Sequence, residues 1–169
     1  LEAFKLIDKS QEATVLIEDG NLIHPGSCIA TIQGNLGYIL QAERTALNFI
    51  QRLSGVATAT QANVQAISDF PSKIVDTRKT IPGWRELDKY AVRMGGGTNH
   101  RLSLADGILI KDNHIAGTLF NGEGIKELVT RIRSGTTQDT INEIEVENHN
   151  QANEALSAGA DVLMLDLSL

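Results

Sequence analysis

Four short stretches carry the residue types that do chemistry. Asp76-Thr77-Arg78-Lys79-Thr80 packs two cations and two hydroxyls together. Arginine presents a planar fork matched to carboxylate and phosphate, and lysine adds a compact charge. Gly95-Gly96-Gly97-Thr98-Asn99-His100-Arg101 comes next. Its glycines predict positive φ and close approach of backbone to a ligand. Asn99, His100 and Arg101 then supply donors. A dinucleotide-binding glycine loop joins a strand to a helix; this run follows a predicted helix, which excludes NAD binding.

The other two stretches read as strands with polar tips. In Gly107-Ile108-Leu109-Ile110-Lys111-Asp112-Asn113-His114, Lys111 shares a strand face with Leu109. A lysine in a barrel mouth needs an anionic partner, or it serves as a Schiff-base nucleophile. Asn142-Glu143-Ile144-Glu145-Val146-Glu147 alternates strictly, with three carboxylates on one face and Ile144 and Val146 on the other. Helices would cover the apolar face and leave the acidic one toward a barrel axis. Clustered carboxylates repel unless a cation sits among them. With Asp166 at the end of the next strand, they suit magnesium, which takes oxygen ligands and keeps water and substrate phosphates. His24, His114 and His149 lack a second ligand at metal spacing, so zinc is not expected.

Alternating elements must position these tips. Residues 1–40 read as strands and turns, with β-rich runs at 14–17 and 28–32. Helical spacing begins at Ala42 and is expected to break at Gly55, with a second helix over 56–67. Strands are predicted at 73–76, 107–111, 141–147 and 161–166, and helices at 84–94, 125–132 and 150–156. This is the pattern of βα units on parallel strands, as in a doubly wound sheet or a barrel. In barrels the loops after the strands build the active site.

Bulk properties narrow the classes further. With 169 residues, 41% hydrophobic but 4% aromatic, the chain fills a core with aliphatic side chains. No apolar run approaches the roughly 20 residues of a membrane span. Net charge is −6, which argues against general nucleic-acid binding. The charge is uneven: Lys73–Lys111 holds eight basic and four acidic residues, net +4, and the remainder seven basic and seventeen acidic, net −10. A positive island in an acidic chain points to a small anionic ligand. The lone Cys28 forms no internal disulfide, is expected to be buried as a small apolar residue, and favours a reducing, cytoplasmic setting.

Taken in order, these motifs resemble the quinolinate phosphoribosyltransferases (carboxylating nicotinate-nucleotide pyrophosphorylases). The likeness runs from about Ser27 to Asp166. It rests on Glu43-Arg44-Thr45-Ala46-Leu47-Asn48 with Arg52-Leu53-Ser54-Gly55, Asp76–Thr80 with Pro82-Gly83, and Lys89-Tyr90-Ala91-Val92. Gly95–Gly97, Asn99-His100-Arg101, Ile110–His114, Glu145-Val146-Glu147 and Met164-Leu165-Asp166 complete it. The resemblance implies an α/β fold: an incomplete (β/α) barrel of the type II phosphoribosyltransferase kind over 41–169, preceded by part of an α/β sandwich domain over 1–40.

It also implies an activity. Phosphoribosyl passes from phosphoribosyl pyrophosphate to quinolinate with Mg2+, giving nicotinic acid mononucleotide, pyrophosphate and CO2. Arg78, His100, Arg101 and Lys111 would line the quinolinate pocket, with Lys79 near the phosphoribosyl group. Glu145 and Asp166 would lie by the ribose and metal. Lys79, Lys111, Glu145 and Asp166 would be catalytic. Arg44 would reach into the partner's site of a homodimer or larger homo-oligomer, with no nucleic acid or membrane involved.

The chain departs from the family at Trp84, usually Leu, and Ser103, usually Gly. The family continues past Asp166 with further βα units bearing phosphate loops, where this chain reads Leu167-Ser168-Leu169. The expectation is a fragment whose barrel cannot close, short also of part of the sandwich domain. Rival readings are an inactive truncated remnant, a Schiff-base barrel lyase using Lys111, and a related barrel protein of molybdenum uptake.

Overall fold

A computed structural model describes residues 1–103, 106–137 and 139–166; Leu167, Ser168 and Leu169 lie outside the described residues. The chain forms two compact units that part between His100 and Arg101.

The first unit begins with a short helix, α1 (Glu2–Ile7), then an antiparallel pair, β1 (Glu12–Val15) and β2 (Ala30–Gln33). Helix α1 falls where strand and turn were expected. Phe4 is buried with Ala42 and Ala46, so tertiary packing stabilises a helix too short to persist alone. Cys28, expected inside, is exposed. It lies in the turn region before β2, where no apolar layer covers it.

A single 31-residue helix, α2 (Leu36–Ala66), replaces the two expected helices and runs through positions 40 and 41. Asn35 caps it, its side chain accepting the Gly37 N–H at 2.9 Å. Gly55 does not break it. A glycine costs about 1 kcal/mol in a helix interior, and propagation on both sides offsets that.

Helix α3 (Arg85–Met94) packs on α2 and ends at Gly95. The expected strand at 73–76 is reduced to one parallel bridge, Val75 with Thr98. The glycine run also differs from expectation. Only Gly96 of the three takes positive φ. A Cβ at Gly95 would stand 2.3 Å from the Ala57 carbonyl oxygen, and one at Gly97 2.8 Å from Thr60 Cγ2. Gly95 and Gly97 therefore let the loop close against α2; packing against a helix, not a ligand, requires them.

The second unit is a three-stranded parallel sheet in sequential order, β3 (Ile108–Ile110), β4 (Asn142–Val146) and β5 (Val162–Leu165). Helices α4 (Asp112–Phe120) and α5 (Ile125–Ser134) join the first two strands, and α6 (His149–Ser157) joins the last two. Ile110, Ile144 and Val146 point to one face and pack with Ile115 of α4, Leu128 and Val129 of α5, and Ala155 of α6. Sequential parallel strands with helices on one face are a segment of barrel wall; a doubly wound sheet places helices on both faces.

Helix α4 was not legible in the sequence. It forms because the His114 Nδ1 accepts the Lys111 N–H at 2.9 Å, and Ile115 and Thr118 bury inward. Among the described residues no helix is long and apolar enough to cross a membrane.

Candidate active site

In the first unit, the Asp76 carboxylate sits at the centre of the polar structure. Its Oδ1 accepts from the His100 backbone N–H at 2.9 Å and from Lys89 Nζ. Its Oδ2 accepts from Asn99 Nδ2 at 2.5 Å. The Val75–Thr98 bridge is parallel, so the chain leaves it on both strands in one direction, toward Arg78 and toward His100. Arg78 Nε is buried with no hydrogen-bond partner. The Lys79 N–H is held by Thr77 Oγ1 at 3.1 Å, and its side chain is exposed. Arg44 is exposed on α2.

In the second unit, Lys111, Glu145 and Asp166 stand at the C-terminal ends of three neighbouring parallel strands. Lys111 Nζ lies 3.6 Å from Glu145 Oε2. The register pairs Glu145 with Met164 and so places Asp166 two residues further on the same sheet face. The Asp166 N–H donates to the Val146 carbonyl at 3.0 Å. Beside them a cleft of about 290 Å³ is lined by Asp112, Asn113, Glu145, Glu147 and Gln151, among others.

Glu145 Oε2 is buried without a hydrogen bond. That oxygen, with Asp166 on the same face, fits a cation that keeps most of its shell for water and substrate oxygens. Among the described residues no three His, Cys, Asp or Glu side chains gather into a closed metal site.

Arg101 stands apart from these tips. Its Nη1 donates to the Gly107 carbonyl at 3.3 Å, ahead of β3, whereas Lys111 follows the far end of that strand. Its Nε is buried and unpaired. Asp106 accepts the N–H groups of Ser103 and Leu102, and these bonds hold its carboxyl below the usual carboxylate range. No non-glycine residue has positive φ among those described, so Ser103 fills its position without the freedom of a glycine.

Sequence reasoning missed several buried polar residues. Lys89 is 1% exposed and paired with Asp76. Arg52 Nη2 bonds both Asp88 oxygens at 3.1 Å. Its guanidinium lies 5.8 Å from the centre of the Trp84 ring, which stacks on Phe49 at 4.8 Å. Trp84 thus fastens the start of α3 to α2. A lysine and an aspartate amid apolar neighbours, as Asp88-Lys89-Tyr90-Ala91 reads, are the only hint the sequence holds.

Two family models together match nearly all of the chain. The quinolinate phosphoribosyl transferase N-terminal domain matches residues 1–54, and the C-terminal domain matches 56–168. The chain belongs to the quinolinate phosphoribosyltransferase family. A probable carboxylating nicotinate-nucleotide pyrophosphorylase of Bacillus subtilis is 46% identical over 98% of this chain and 56% of that protein. A carboxylating nicotinate-nucleotide pyrophosphorylase of Mycobacterium leprae is 41% identical over 89% of this chain and 51% of that protein.

The solved nicotinate-nucleotide pyrophosphorylase of Francisella tularensis superposes with a TM-score of 0.89 at 44% identity, covering 97% of this chain and 57% of that one. The Ehrlichia chaffeensis structure gives 0.90 at 37% identity, covering 99% and 60%. The chain thus spans about half the length of the curated relatives it matches. Its fold is that of the quinolinate phosphoribosyltransferases over the shared stretch, α/β with part of a barrel.

Proposed function

We propose that the protein acts in transfer of phosphoribosyl from phosphoribosyl pyrophosphate to quinolinate, with decarboxylation, giving nicotinic acid mononucleotide, pyrophosphate and CO2. One observation carries this reading beyond family membership. Lys111, Glu145 and Asp166 end three adjacent parallel strands, with Lys111 and Glu145 3.6 Å apart. Opposite charges at one sheet edge suit a substrate pair in which an anionic acceptor meets a carbon that becomes cationic.

The substrate-binding set is Arg44, Arg78, Lys79, His100, Arg101 and Lys111. Arg78, with its buried unpaired Nε, offers a donor for a carboxylate. Arg101 joins by motif; here its Nη1 rests on Gly107. Glu145 and Asp166 face the ribose carbon and stabilise positive charge there as its bond to pyrophosphate loosens. The pyridine nitrogen forms the new bond to that carbon, held in line by the cations. The quaternised ring then takes up the electron pair released as CO2 leaves, and solvent supplies the proton.

Magnesium, held by Glu145 and Asp166, would supply charge to the departing pyrophosphate oxygens. Lys79 serves the same anion from the loop after the Val75 bridge. A homodimer or larger homo-oligomer, with Arg44 serving the neighbouring subunit, and a cytoplasmic setting complete the proposal.

The test is release of CO2 from carboxyl-labelled quinolinate. Release that needs both phosphoribosyl pyrophosphate and magnesium supports it. Absence of release under conditions where both ligands bind sinks it. A Schiff-base role for Lys111 is disfavoured because its side chain is 44% exposed and paired with Glu145, whereas such lysines sit desolvated in apolar pockets or beside another cation.

A further inference from the structure

We propose that Asp76, Lys89 and Asn99 are positioning residues: a buried knot that fixes His100 relative to Arg78 and thereby sets affinity for the diacid. The inference rests on the phosphoribosyl-transfer reading and lies wholly within the first unit.

The ladder at the Val75–Thr98 bridge is interrupted. Around the Val75–Thr98 bridge, Thr98 N–H donates to the Ile74 carbonyl at 2.8 Å and Asp76 N–H to the Thr98 carbonyl at 3.2 Å. The next parallel bond would run from His100 N–H to the Asp76 carbonyl. It runs instead to the Asp76 side chain, at 2.9 Å. A carboxylate has replaced a main-chain acceptor just where the chain passes on to Arg78 and to His100.

That substitution brings a charge inside, where an unpaired carboxylate is costly. Lys89, from the middle of α3, neutralises it. Asn99 Nδ2 bridges the remaining Asp76 oxygen and the Lys89 carbonyl, at 2.5 and 2.9 Å, and Arg93 Nη1 donates to Asn99 Oδ1. Each oxygen of Asp76 is satisfied, and the geometry has little freedom. A buried ion pair contributes little net stability compared with an apolar pair of similar volume. Its place between the segments that carry Arg78 and His100 points to positioning.

The double variant Asp76→Leu/Lys89→Met separates the two roles. It removes both buried charges together but leaves the His100 N–H without its acceptor. The readouts are urea stability, amide hydrogen exchange at His100, and affinities for quinolinate and for phosphoribosyl pyrophosphate with magnesium. The expected result is near-native stability, His100 exchange faster by at least about tenfold, and quinolinate Kd raised about tenfold. Affinity for phosphoribosyl pyrophosphate should change by less than about twofold.

Unchanged exchange at His100 overturns the proposal. So does unchanged quinolinate affinity in a variant whose exchange has risen. Wild-type protein that binds no quinolinate would instead refute the functional reading, and His100 exchange alone would then decide the positioning claim. If the double variant fails to fold, Asn99→Ala keeps the ion pair and the His100 acceptor but frees the other Asp76 oxygen; quinolinate Kd should then rise about threefold, about 0.7 kcal/mol, and an unchanged Kd overturns the proposal.

Discussion

Lys111 Nζ stands 3.6 Å from Glu145 Oε2, an ion pair that ties the tip of β3 to the C-terminal end of β4. Glu145 Oε2 has no hydrogen bond besides. Under the proposed function, that contact would be remade on binding, with Lys111 turning to an anion and Glu145 to a cationic carbon or a metal.

Truncating either end of such a contact during catalysis costs roughly 2–5 kcal/mol. Lys111→Ala and Arg78→Ala should each abolish quinolinate turnover, read as labelled CO2 release. Near-normal release from either variant would remove that residue from the site.

At the other end of the same sheet, Asp161 accepts the Asn142 N–H at 2.8 Å and pairs with Arg133 Nη2 at 2.5 Å. The Asn142 N–H first, then Arg133, holds its carboxyl below its ordinary value of 3.8. A lowered folded value means the contribution is present above the unfolded value and is lost as pH falls through the folded one. Asp161→Asn should therefore lower the urea midpoint at neutral pH, and the gap from wild type should close below the ordinary value. A gap that persists at low pH would contradict this.

Arg133 also donates to the carbonyls of Thr140 at 3.2 Å and Gly159 at 2.9 Å, joining three segments beneath the strands. Charge-assisted bonds contribute about 1.5–3 kcal/mol. Arg133→Met should lower the urea midpoint accordingly with the slope unchanged. A midpoint equal to wild type would show the clasp to be dispensable.

Gly95 admits no side chain, since its Cβ would meet the Ala57 carbonyl oxygen at 2.3 Å. Gly95→Ala should destabilise by about 1–3 kcal/mol through overpacking. Gly55 in α2, whose added Cβ would meet nothing within 4 Å and whose φ is not positive, is the control, and Gly55→Ala should not destabilise. Equal thermal midpoints for Gly95→Ala and wild type would refute the packing account.

Trp84, the sole tryptophan, stacks on Phe49 at 4.8 Å. Such a pair is worth about 0.5–1.5 kcal/mol beyond area burial. Phe49→Ala should destabilise the protein and shift Trp84 emission to the red as its ring gains water. An unchanged spectrum would place the ring elsewhere in solution.

The sequence alone determined the alternation of elements and which strand faces are apolar. Period and residue type suffice for that, and Ile144 and Val146 pack beneath the helices as their alternation required. It also identified the family through ordered motifs. It did not reveal what the glycines near α3 touch, that Gly55 lies within an unbroken helix, or that Lys89 is buried on Asp76. Those depend on partners far away in the chain: Gly95 meets Ala57, and Lys89 meets Asp76. Local propensity carries no record of such neighbours. Burial of a charge is decided only when another segment brings its counter-charge, and tertiary packing makes that choice.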